Sequence, residues 1–87
     1  MVERYEYVKE LVLGLLADSP IVREEVISDV RHLVSAGEEE LAFGTLCSWI
    51  YEDELRISAQ FYEKLRRAAS ELGENKSIEK LDELLTE

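Results

Sequence analysis

Apolar residues recur along this chain at three- and four-residue steps, with charged residues falling between them. In the first segment Tyr5, Val8, Leu11, Val12, Leu15 and Leu16 form one stripe, and Glu3, Glu6, Lys9 and Glu10 lie off it, which predicts an amphipathic helix. Asp18-Ser19-Pro20 ends that helix and starts a second, because Ser19 can accept a bond from a free amide and proline tolerates the first helical position. The second helix turns Val22, Val26, Val30, Leu33 and Val34 inward. Gly37 stands where a left-handed closing residue is wanted, and Glu38, Glu39 and Glu40 follow in the next first turn, so the corner is tight.

A third helix runs from about Glu39 to Glu52, with Ala42, Leu46, Trp49 and Ile50 as its inward stripe. Arg56-Ile57 reads as a brief extended link into Ser58, the cap of a fourth helix whose core face is Phe61, Tyr62, Leu65, Ala69 and Leu72 and whose end is Gly73. Glu74-Asn75-Lys76 is loop-like, and Ser77 caps a short last helix through Ile78, Leu81, Leu84 and Leu85, with an end expected to fray. β-Branched residues cluster at Val26-Ile27 and Val30, yet strict alternation and Asn-Gly turns are missing, so helix outweighs strand. The expectation is an all-α fold, a compact bundle of four to five short helices, forming a single helical domain over residues 1–87. No internal repeat supports a solenoid.

Eighty-seven residues, 46% hydrophobic and 34% charged, fit one domain and exclude a multidomain enzyme. A chain of this size buries roughly 60–65% of its unfolded surface, so few apolar residues remain for a deep substrate pocket. Twenty Asp and Glu against ten Lys and Arg give a formal net charge of −10. Such a field repels phosphate backbones and anionic lipid heads, so no direct nucleic-acid or membrane binding is expected and a basic partner is the natural complement. The single cysteine, Cys47, has no partner for an internal disulfide and lies near Leu46 and Trp49, which suits a core thiol in a reducing cytosol. Met1-Val2-Glu3-Arg4-Tyr5-Glu6 does not read as a secretion signal, and the longest apolar candidate, Leu11 to Ala17, falls short of a membrane span. A soluble cytoplasmic protein is expected.

The inventory for catalysis is thin. His32, the only histidine, sits beside Val30, Leu33 and Val34 and reads as a helix-surface residue; coupling it to Cys47 would need a third orienting group. No Cys-x-x-Cys, His-Glu-x-x-His or calcium-loop pattern is present, and Glu52-Asp53-Glu54-Leu55-Arg56 lacks the spacing and glycine of the last. No cofactor or metal is expected, and the chain does not read as an enzyme.

Charge placement is more informative. Residues 38–54 contain Glu38, Glu39, Glu40, Glu52, Asp53 and Glu54 and no Lys or Arg. Helix electrostatics explain the first three, at a helix start, but not the last three, at a helix end where negative charge is unfavourable by about 0.3–1 kcal/mol. At about 100° per residue, Glu40, Gly44, Ser48 and Tyr51 fall opposite the inward stripe of the third helix. Tyrosine is a preferred interface anchor and Gly44 permits close approach, whether by another chain or by another helix of the same domain. The candidate contact is therefore Glu40, Gly44, Ser48, Tyr51, Glu52, Asp53 and Glu54, while Trp49 belongs to the core.

Ala36-Gly37-Glu38, Leu41-Ala42, Leu46-Cys47, Tyr51-Glu52, Ile57-Ser58, Tyr62, Leu65 and Leu72-Gly73 together resemble the MafI-type immunity proteins of bacterial polymorphic toxin systems, over residues 26–73. The chain departs from that pattern at Glu39 and at Phe43-Gly44. The resemblance implies a small cytoplasmic protein that binds and neutralises a cognate secreted toxin, frequently a nuclease whose Lys, Arg and His hold phosphate. Two other readings stand beside it. One is a self-associating helical adaptor with a homodimer seam through Tyr7, Leu13 and Ile27; the other is an acidic inhibitor of a DNA-binding protein.

Overall fold

A computed structural model describes residues 4–86 of the chain. Four α-helices, α1 (Arg4–Asp18), α2 (Glu24–Ser35), α3 (Glu39–Glu52) and α4 (Ala59–Leu72), are followed by two 3₁₀ turns, Asn75–Ile78 and Leu81–Leu84, and the fold is all-α. The radius of gyration, 12.1 Å, is close to the about 12 Å expected for a packed chain of this length. α3 is the spine, packing on α1, α2 and both 3₁₀ turns. Asp18 pairs with Lys64 while Arg4 and Tyr7 reach Glu71, so α1 and α4 run antiparallel.

Three helices close in the same way. Gly37 adopts φ +80° as Glu38 N–H bonds the Leu33 carbonyl at 2.8 Å, and Gly73 adopts φ +70° as Glu74 N–H bonds the Ala69 carbonyl at 2.8 Å. At the end of α3 the same loop forms with Leu55 N–H on the Ile50 carbonyl at 3.0 Å, but the left-handed residue is Glu54, at φ +51°. A side chain there costs roughly 1 kcal/mol that glycine would avoid. Ser58 caps α4 as the sequence predicts, its Oγ accepting from Phe61 N–H at 3.0 Å.

Elsewhere the boundaries move. Ser19 does not cap α2: its hydroxyl donates to the Leu16 carbonyl and accepts from Ile21 N–H, and the chain bends at Ser19-Pro20 and reaches Glu24 through an extended Arg23. The extended link lets Ile21 dip into the core, 7% exposed, and throws Val22 outward, 82% exposed, against the inward place predicted for it. Tyr5, in step with the α1 stripe, is also largely outside, 46% exposed. The last helix is replaced by the two 3₁₀ turns, whose period of three brings Ile78, Leu81 and Leu84 onto the core. Ser77 lies inside the first of these turns. The tail is held through Thr86: Ile57 N–H bonds the Leu84 carbonyl at 3.0 Å and Thr86 N–H returns to the Ile57 carbonyl at 2.9 Å, forming a short parallel bridge.

The core face of α3 is rotated by about 45° from the predicted one. Ala42, Leu46 and Ile50 are buried as expected, but Phe43 and Cys47 join them, and Trp49 is left half-buried at the edge. The cause is the tail, which packs on the side of α3 that the helix wheel left to solvent.

Candidate functional site

The contact residues predicted from the sequence are strung along α3 over three adjoining depressions rather than gathered round one centre. Glu40 and Glu52, twelve residues apart, are separated by about 18 Å of helix. Glu40 and Gly44 line an open groove of about 850 Å³ at the amino end of α3. Gly44, Ser48, Tyr51 and Glu52 line a second furrow of about 310 Å³ whose far wall carries Lys76 and Lys80. Glu54 lies in a third depression, with Arg56 and Glu83.

At the carboxyl end the acids meet cations of the same chain. Arg23 places Nε 2.9 Å from Asp53 Oδ2 and Nη2 3.1 Å from Oδ1, while its guanidinium lies 5.3 Å from the centre of the Trp49 ring. Tyr51 does not project freely among acids, as the wheel suggests. It is half-buried, with Lys80 Nζ 5.7 Å from the ring centre and its hydroxyl 3.4 Å from Glu83 Oε1. Gly44 faces the tail too: a Cβ there would sit 3.6 Å from Ser77 Oγ. Tyr51 and Gly44 both make contacts within the chain.

The amino end is built differently. Glu38, Glu39 and Glu40 enter the groove from the start of α3, and Glu74 enters from the loop after α4. The groove's one cation among the described residues is Arg4, whose Nη2 donates to the Glu71 carbonyl at 2.7 Å. Glu39 Oε2 is buried with no hydrogen-bond partner among the described residues. Apolar side chains stand among these carboxylates, with Leu41 55% and Tyr5 46% exposed. The Tyr5 ring lies against the α2–α3 corner, 3.9 Å from the position of a Gly37 Cβ.

Other candidate chemistry is dispersed. Cys47 is 1% exposed, and burial, with Glu74 adding a smaller push, raises its thiol to about 12, so it is a neutral thiol at physiological pH. His32 is exposed on the last turn of α2, and no hydrogen bond joins it to Cys47 among the described residues. Tyr7 donates to the Glu71 carboxylate, which holds its phenol above the usual value. No group of three His, Cys, Asp or Glu is arranged as metal ligands among the described residues, and no described helix is long and apolar enough to cross a membrane. The seam suggested for a homodimer is divided: Leu13 and Ile27 share a depression between α1 and α2, whereas Tyr7 faces α4.

The Arg23–Trp49–Asp53 cluster has no local signal in the sequence, because its members meet only when the link before α2 is extended. The exposure of Leu41 was readable, since it lies off the inward stripe of α3. Comparison with protein-family models, curated proteins and solved structures finds no match to this chain.

Proposed function

We propose that this chain is an immunity protein of the MafI type, which binds a cognate basic toxin domain of the nuclease class in the cytoplasm and neutralises it by covering its cationic face. The observation that carries this reading is the run of carboxylates at the start of α3, which meets a single arginine among the described residues, in a chain with twice as many acids as bases. Only Asp18, Asp53 and Glu63 form ion pairs among the described residues, so most of the negative field is directed outward. The family part of this reading rests on the residue pattern across 26–73.

The mechanism is steric and electrostatic. A nuclease holds phosphate with Lys and Arg, and a rigid scaffold presenting carboxylates occupies those groups and blocks the approach of nucleic acid. Opposite fields also steer encounter, toward about 10⁸ M⁻¹s⁻¹ at low salt, which suits the capture of an incoming toxin. The test is co-expression with the toxin encoded beside the gene. Colony formation restored by the chain supports the reading, and loss of viability at equal expression of both proteins overturns it.

A further inference from the structure

We infer that the groove at the amino end of α3 is a docking site for a basic amphipathic segment of a protein partner, one that sets an Arg or Lys beside a large apolar side chain. This rests on the immunity reading for the partner's identity, but the groove's chemistry can be tested without it.

The floor is apolar and accessible. Leu41 and Tyr5 are among the four most exposed large hydrophobic side chains of the described residues, at 55% and 46%, and both border the same groove, where Val8 and Leu72 join them from the core. Gly37 lies along this surface without a side chain to fill it, and it cannot readily gain one at φ +80°. Helix electrostatics account for acids in the first turn of α3. They do not account for Leu41 and Tyr5 standing uncovered among those acids, nor for Glu74, which arrives from a different element.

Charge decides the occupant. Four carboxylates, from Glu38, Glu39, Glu40 and Glu74, face one guanidinium, so an anionic or neutral apolar segment would leave them uncompensated. The Glu39 carboxylate, one oxygen of which is buried without a donor among the described residues, is where an incoming guanidinium or ammonium would gain most. A small polycation would answer the carboxylates but leave Leu41 and Tyr5 exposed. A segment carrying both features covers both, in the manner of a central anchor with a charged rim.

The probe is a fluorescein-labelled peptide of repeating Lys-Leu-Leu-Arg units, followed by fluorescence anisotropy against the intact chain. Leu41→Ser and Glu39→Gln are each expected to weaken it about tenfold, while Glu54→Gln at the far end leaves it within about twofold. Both key positions are surface or groove residues, and circular dichroism checks that each variant stays folded. Absence of peptide binding, equal binding to wild type and Leu41→Ser, or displacement by spermine or a Lys-Ser-Ser-Arg peptide at matched charge would each overturn the inference. Co-expression separates the two readings. If wild type, Leu41→Ser and Glu39→Gln all protect equally, the groove is not the toxin contact and immunity stands. If wild type gives no protection, immunity falls, and peptide affinity still decides the groove.

Discussion

The two ends of α3 carry three acids each, in Glu38–Glu40 and Glu52–Glu54, yet the fold treats them in opposite ways. At the carboxyl end Arg23 takes Asp53, Lys80 lies over Tyr51, and Arg56 and Lys76 stand in the flanking depressions. At the amino end one arginine faces four carboxylates, and one carboxylate oxygen is buried without a partner among the described residues. Sequence electrostatics point the other way, since acids suit a helix start and oppose a helix end. The difference teaches that a charge misplaced on its own helix can be answered across the fold, while a charge well placed locally can remain free for something outside.

That contrast depends on α3 being a single rigid spine. Phe43 is fully buried midway along it, and Phe43→Ala is expected to cost about 3–5 kcal/mol in denaturant unfolding, with both ends melting together. A loss below about 1 kcal/mol would mean that the two ends are not held by one core. Cys47, also on this spine, supplies a pH test. Its folded thiol is raised above the unfolded one, so the contribution is intact below about pH 9 and is lost as pH rises toward about 12, by up to ~4 kcal/mol. Stability curves of wild type and Cys47→Ala should converge in relative terms across that window; parallel curves would show that the thiol is not desolvated.

At the carboxyl end the effects are smaller. Arg23→Ala removes a partly exposed ion pair and a ring contact and is expected to lower stability by about 1 kcal/mol, with the loss reduced in high salt. No change would mean that Asp53 is as free as the acids of the amino end. Glu54→Gly relieves the left-handed strain and should raise stability by roughly 1 kcal/mol without touching peptide binding at the other end. A fall in affinity on that substitution would bring Glu54 back into the contact.

Much of the fold was legible in the sequence because its signals are local. Ser58 and Gly73 bound α4, Gly37 closes α2, and the three-and-four spacing of apolar residues places the helices. What failed depended on distant contacts. Val22 kept step with Val26 and Val30, but the burial of Ile21 required an extended link and turned Val22 out. The tail read as a short α-helix, yet it folds as 3₁₀ turns strapped to Ile57 and covers Gly44 and Tyr51, which a wheel drawn for α3 alone leaves in solvent. Of the predicted contact, Glu40 and Gly44 line the groove, while Tyr51 and Asp53 make contacts within the chain.

The most direct measurement is amide chemical-shift mapping of the ¹⁵N-labelled chain on addition of the proposed cognate toxin domain in catalytically inactivated form. Docking at the amino end of α3 requires the largest changes at Tyr5, Gly37 and Leu41, with Ser48, Glu52 and Glu54 nearly still. Changes centred on Ser48, Glu52 and Glu54, with the groove undisturbed, would contradict it.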